Sequence, residues 1–330
     1  MLMNEFLEFE PTESNEVFFI YDYFKRKKYK ISNELFEFII DLNLEEISEI
    51  DEESIKICYE LGILIDPDEK YNEYLQLKEE WEKYGWREAL KYHVATLDYP
   101  FRGERDMGIE VMLKYSKTEK DQLRKKSYSM IYKEYDLDEY DKEDLSSDFL
   151  TKGKLFLMLK YTLGYSNEIN VQWTETKILQ RTTPSGGSRQ PTEGYFYVQD
   201  IKNLENGWYY INGLDNCLQK INNIEIDEKK MRELFPLVYS NTSMAIKAFV
   251  VLTSVFEKNM YRYREPRTFR TIHMDAGHIS ALMEKFAERY NYCSYVHYTS
   301  DENYILDNLN LNYLDEGFQT AVIFGEGGQN

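Results

Sequence analysis

Cysteine is scarce: Cys58, Cys217 and Cys293 are the only three in 330 residues. They are odd in number, make no Cys-x-x-Cys pair and lay out no disulfide framework. Histidine is nearly as scarce. His93, His273, His278 and His297 include no His-Glu-x-x-His run, so no metal site is expected. Basic charge is short as well, with 40 Lys plus Arg against 59 Asp plus Glu and a net charge of −19. That argues against nucleic acid as the main partner, because phosphate binding needs a basic surface. Long apolar runs are missing. The most apolar stretch, residues 248–256, is about half of the roughly 20 residues that a membrane-spanning helix requires. Near the N-terminus, Glu5, Glu8 and Glu10 stand where a secretion signal carries Lys or Arg. These absences predict a cytoplasmic chain with no membrane partner.

Apolar matter is plentiful. Hydrophobic residues make up 42% of the chain, and 29 Tyr and 18 Phe supply most of the aromatics. That is enough for a packed core and excludes wholesale disorder. At roughly 150 residues per domain the length suggests about two domains.

Residues 1–68 hold 18 acidic and 6 basic residues. The basic ones cluster at Lys25, Arg26, Lys27, Lys28 and Lys30. Residues 17–24 (VFFIYDYF) read as a strand, and 29–31 as its return. Ser32 can cap a helix carrying Leu35, Phe36, Ile39 and Ile40. Negative charge at 51–53 opens a second helix with Ile55, Cys58 and Leu61 on one face, and Gly62 closes it. A hairpin, two helices and a short strand outline a small winged-helix-like domain over 1–68. It is either a structural lid or dimerisation module, or a peptide-binding module in which an extended peptide adds to a strand edge.

Residues 69–125 read as a helical connector, with Trp81, Tyr84, Trp86 and Leu90 at helix-compatible spacing and Trp86 and His93 expected in a core. The acidic stretch 133–148 reads as a surface loop. From 150 onward an apolar helix (155–163), strands at 195–198, 208–211, 246–256 and 319–324, and a helix at 280–290 mix without regular βαβ alternation. That predicts an α+β class.

Two motifs stand out. In Arg181-x-x-Pro184-Ser185-Gly186-Gly187-x-x-x-Pro191, paired glycines allow close backbone approach to a flat ligand, and turn amides can face an anion. An ordinary loop would read the same way. The second is the run 262–270, with Arg262, Arg264, Arg267 and Arg270 around Tyr263. It is either a salt-bridged edge or an anion-recognition element with a Tyr near the reacting atom.

With the GWYYIN strand at 207–212, VVLTSVF at 250–256, RTFR at 267–270, DAGH at 275–278 and VIFGEG near the C-terminus, these motifs resemble the azoline dehydrogenases of the nitroreductase superfamily (the SagB/McbC type). The resemblance runs from about Tyr161 to Gly325, and WREALKYHVAT at 86–96 is similar to the stretch that precedes the domain in such enzymes. It implies a nitroreductase-like sheet flanked by helices over 126–330, a homodimer, and FMN as cofactor. It also implies oxidation of azoline rings to azoles in a ribosomally made precursor peptide, alongside a cyclodehydratase partner. Carried over, Pro184, Ser185, Gly186 and Gly187 lie against the flavin ring. Lys125, Lys126 and Ser127 match the run that grips the FMN phosphate. Arg181, Arg267, Arg270 and His278 complete the cofactor set, and Tyr263 with Arg262 matches the family's Lys-Tyr pair, implicated in proton removal. Two positions depart from the pattern. Ser129 stands where a later Arg is usual, and Arg262 replaces the Lys. An Arg stays protonated and cannot act as a base. A second reading is therefore a flavin-free member that binds the peptide or scaffolds a cyclodehydratase complex. A third is a general NAD(P)H nitroreductase.

Overall fold

The computed structural model describes residues 2–12, 17–43, 51–97, 114, 126–170 and 177–327. Lys125, and the connector beyond Leu97 apart from Lys114, lie outside them. The chain divides into two compact units, Met1–Phe101 and Arg102–Asn330.

The first unit contains, in order, β1 (Leu2–Met3), β2 (Leu7–Pro11), β3 (Val17–Asp22), β4 (Lys27–Ser32), α1 (Asn33–Asn43), α2 (Glu52–Leu61), β5 (Leu64–Ile65), α3 (Glu69–Lys83) and α4 (Arg87–Thr96). Strands β2, β3 and β4 form an antiparallel sheet in that order. The hairpin, the helices and the short strand follow the order read from the sequence. Ser32 Oγ accepts the Leu35 amide at 3.3 Å, and the Asp51 carboxylate accepts the amides of Glu53 and Ser54. Gly62 adopts a left-handed φ of 73°, as a helix-ending glycine does. Ile20, Ile31, Ile39, Cys58, Ile63 and Leu64 form one core beneath the sheet. The aromatic helix differs from expectation. It breaks between α3 and α4, Trp86 is 60% exposed, and His93 is exposed with its ring stacked on Trp81. The physical reason is the turn at 84–86, where Gly85 interrupts the helical run and throws Trp86 off the buried face.

The second unit is built on one antiparallel seven-stranded sheet. Its elements are β6 (Lys133–Asp136), α5 (Lys152–Leu163), β7 (Asn167–Asn170), β8 (Lys177–Gln180), β9 (Thr192–Val198), β10 (Gly207–Asn212), β11 (Cys217–Asn222), α6 (Glu228–Leu234), α7 (Pro236–Asn241), β12 (Ala245–Val255), α8 (Glu257–Met260), α9 (Phe269–Arg289), β13 (Cys293–His297), α10 (Glu302–Leu309) and β14 (Glu316–Glu326). The strand order is β13-β14-β12-β9-β10-β11-β6, while β7 and β8 pair separately. The α+β class expected from the sequence is thus observed. Strand β9 is buried along its whole length because both faces are covered. Phe196 and Val198 meet α5 and α9 through Leu159, Leu163, Ile279 and Met283. Tyr195 and Tyr197, on the other face, join Trp208, Phe249, Met231 and Ile305. Burying each such large side chain contributes about 1.5–3 kcal/mol. Among the described residues, no helix is long and apolar enough to cross a membrane.

Two expectations are corrected here. The first four residues of the acidic stretch 133–148 are strand β6, paired with β11, and not loop. Its Lys133, Glu134 and Asp136 point outward as charged residues do on a protected sheet edge, and Leu137 beyond it is fully buried. The helix expected at 280–290 begins at Phe269 and takes in Phe269 and Arg270 of RTFR and the whole of DAGH. Its first half buries only Ile272, Asp275, Ala276 and Ile279, so its polar face hid the period.

His297, on β13, is 1% exposed, and its ring meets Phe235 edge-on. Burial pushes its imidazole below the ordinary value, with the Thr299 backbone opposing in part. The folded chain therefore holds it neutral where the unfolded chain, with a pKa near 6.5, takes up a proton. The stability tied to this ring is complete above about pH 6.5 and falls as the pH drops below it. The urea midpoint is expected to decline between pH 7.5 and pH 5.5, and His297→Leu to flatten that decline. An equal decline in both proteins would rule His297 out.

Candidate functional site

The turn after β8 is strained. Gly187 has φ 60°, and two non-glycine residues, Ser188 and Gln190, also sit in the left-handed region at 55° and 50°. An L-residue there costs roughly 1–2 kcal/mol, so the surroundings must hold it. They do so from two sides. From α9, the buried Asp275 carboxylate accepts the Ser185 hydroxyl at 2.6 Å and the Gly186 amide at 3.3 Å. Ser185 Oγ in turn accepts the Gln190 amide at 2.9 Å. From α8, the Lys258 carbonyl accepts Arg189 Nε at 2.8 Å. Gly187 has a direct steric reason as well. A Cβ there would lie 1.8 Å from the Tyr263 hydroxyl. The turn and Tyr263, 76 residues apart in sequence, are therefore in contact. An open cleft of about 440 Å³, lined by Met260, Tyr261, Tyr263, Arg264 and Pro266, borders the same tyrosine.

Next to the turn lies a small polar cavity of about 30 Å³, room for about two waters. Lys126, Arg181, Glu193, Tyr210 and Lys258 line it, with Tyr165. Arg181 is 7% exposed, donates from Nη1 to the Thr192 carbonyl at 2.6 Å and lies over the Tyr165 ring. Its Nε is buried with no hydrogen-bond partner among the described residues. Glu193 pairs with Lys258 and accepts the Tyr210 hydroxyl at 3.0 Å. Burial alone would raise the Glu193 carboxyl, but Lys258 and Arg181 outweigh it and hold it below the usual carboxylate range. Burial likewise opposes the Lys258 charge, and Glu193 overrides it and keeps that amine protonated.

Lys126 extends the network. Its amine donates to the Tyr195 hydroxyl and to Glu316. Glu316, 6% exposed, also accepts Tyr195 Oη at 2.9 Å and Thr253 Oγ1 at 2.6 Å. Burial, then Glu316, drives the Tyr195 phenol far up, so it stays neutral, donating to Glu316 while accepting from Lys126. Buried charges at this density are costly unless paired, and they mark a functional-site candidate.

Several residues named from the sequence meet here. Lys126 and Arg181 share the cavity, while Ser185, Gly186, Gly187 and Tyr263 form the turn and its cover. Of the others, Ser127, Arg267 and His278 are exposed, as is Pro184 at the head of the turn, and Arg262 and Arg270 are half-buried. Glu193, Lys258 and Glu316 are not among the residues named from the sequence, and Asp275 enters there only within the DAGH motif. An acid inside the apolar run TEGYFYV was the available signal for Glu193, since such residues are almost never buried unpaired.

No protein-family model matches the chain. Over 139 residues, 42% of its length, it is 33% identical to the trifolitoxin-processing protein TfxB of Rhizobium leguminosarum bv. trifolii, covering 36% of that protein. Over 100 residues it is 28% identical to a provisionally named nitroreductase of Methanocaldococcus jannaschii, covering 48% of it. The chain thus spans about a third to a half of the length of these curated relatives. Among solved structures, it is similar to a provisionally named nitroreductase from Anabaena variabilis (TM-score 0.49, 20% identity, 62% of this chain and 41% of that one). It is also similar to a chain of the Escherichia coli microcin synthetase McbBCD complex with truncated pro-MccB17 bound (TM-score 0.40, 17% identity, 63% of this chain and 80% of that one).

Proposed function

We propose that this chain is an FMN-dependent dehydrogenase of the nitroreductase superfamily that oxidises azoline rings to azoles in a ribosomally made peptide. The observation that carries the reading is the convergence of a strained glycine turn, Tyr263 and a cationic cavity at one end of the sheet. The sequence likeness to a trifolitoxin-processing protein supports the peptide substrate. The buried, unpartnered Arg181 Nε, with Lys126 and Lys258 beside it, offers positive charge to an anionic phosphate, for which the 30 Å³ cavity has to widen and Lys126 and Lys258 have to turn from Glu316 and Glu193; the cleft beside Tyr263 lies in the size range of cofactor sites.

In this reading Lys126, Arg181 and Lys258 hold the phosphate, and residues 184–187 back the ring. When bound, FMN supplies a two-electron acceptor. Tyr263 Oη relays the proton lost from the azoline carbon, accepting it while its own phenol proton passes to water, and Arg262 keeps a fixed positive charge next to it. The N-terminal unit meets the precursor peptide, and the enzyme works in the cytoplasm as a homodimer beside a cyclodehydratase. The test is mass spectrometry of an azoline-bearing peptide incubated with the FMN-loaded protein. Loss of one hydrogen pair per ring is expected, and an unchanged peptide would refute the activity. Tyr263→Phe is expected to slow this loss by about 10²-fold or more while FMN remains bound. An unchanged rate would remove Tyr263 from the chemistry.

A second reading, a flavin-free scaffold subunit, draws on the Gly186 amide, which is already donated to Asp275. It predicts tight peptide or cyclodehydratase binding without flavin. Turnover of small quinones with NADPH would instead favour a general nitroreductase.

A further inference from the structure

We propose that Asp275 is the positioning residue of the site, a buried carboxylate on α9 that clamps the turn 185–190 in its ligand-ready form through Ser185. The turn carries three residues at positive φ within four positions, two of them with side chains. Left alone it would relax, because each such residue disfavours that conformation. Beside the Arg189 contact with the Lys258 carbonyl, what opposes relaxation is one chain of hydrogen bonds from α9. The Asp275 carboxylate fixes the Ser185 hydroxyl and the Gly186 amide, and the fixed hydroxyl accepts the amide of Gln190 at the far end of the strained segment. Both ends of the turn are thus tied to a single side chain. That side chain is 4% exposed and belongs to a 21-residue helix whose neighbouring turn, at Thr271, packs against Gly186. Asn259 and the Thr268 carbonyl hold Thr271 Oγ1 in place, so the supporting face of the helix is itself fixed. A carboxylate suits this role better than an amide, because it accepts at both oxygens, one for each donor the turn offers, and brings no N–H that would need an acceptor.

The ligand arm of the proposal rests on the FMN reading, and the exchange arm does not. Two measurements on the full-length chain therefore separate them. The first is amide hydrogen exchange over 185–190 without added FMN. Asp275→Asn is expected to speed exchange of the Gly186 and Gln190 amides by about tenfold or more, with β9 unchanged. Ser185→Ala is expected to do the same for Gln190 alone. Unchanged exchange in both variants would overturn the clamp whether or not flavin binds. The second is FMN binding followed by fluorescence quenching. Asp275→Asn and Ser185→Ala are each expected to weaken it by about tenfold or more, the double variant by no more than the worse single one, and Ser185→Thr to restore it. Additive losses, or Asp275→Asn binding as tightly as wild type, would overturn the proposal. Wild type that binds no FMN while the exchange result holds would refute the flavin reading and leave the clamp standing.

Discussion

Gly187→Val is expected to abolish FMN binding and to lower the stability of the second unit by about 2–4 kcal/mol. Two penalties coincide at this position. The backbone is at φ 60°, where a β-branched residue is a true outlier. The new Cβ would also lie 1.8 Å from the Tyr263 hydroxyl and 2.8 Å from Tyr263 Cζ, so either the turn or the tyrosine must move. Gly186 offers the control. A Cβ there would meet Thr271 at 3.3 Å, a tight but yielding contact, so Gly186→Ala should keep most of the binding. Fluorescence quenching with a thermal melt reads both effects. A valine variant that binds FMN like wild type would show that the turn does not contact the ligand.

The second large effect is expected at Glu316. Its carboxylate holds Lys126, Tyr195 and Thr253 at once, and all of this lies under the sheet end. Glu316→Ala would leave the part-buried Lys126 ammonium and two buried hydroxyls without their carboxylate. Breaking such a pair costs about 3–5 kcal/mol. For a unit of this size that lowers the melting temperature by on the order of 10 °C. Glu316→Gln, which keeps an acceptor of the same shape, should cost clearly less. A melting temperature within a degree or so of wild type for Glu316→Ala would mean that Lys126 reaches water in solution, and that the network is not a sealed one.

Much of the fold was legible because local and global preferences agree. The strands 195–198 and 208–211 are aromatic and β-branched, and their burial on both faces leaves no polar alternation to disguise them. The first unit declares its helix ends through Ser32, Asp51 and Gly62. Helix α9 was half hidden for a definable reason. Its buried positions run Ile272, Asp275, Ala276, Ile279 and Met283, and the carboxylate in that series breaks the apolar period. Strand β6 was hidden because an edge strand guarded by charge has the composition of a loop. The paired glycines, Arg181 and Tyr263 could be named from the sequence. What supports them could not, since Asp275, Lys258 and Glu316 lie 89, 77 and 135 residues beyond Gly186, Arg181 and Arg181 respectively. Ordinary polar residues become distinctive only once the sheet has brought them together.

The central claim is that the turn at 184–187 seats a planar flavin. The most direct measurement titrates the purified full-length chain with FMN and follows its visible spectrum and fluorescence. One FMN per chain is predicted, quenched on binding, with Gly187→Val failing to bind. A protein that stays colourless in excess FMN, with wild type and Gly187→Val indistinguishable, would contradict the claim.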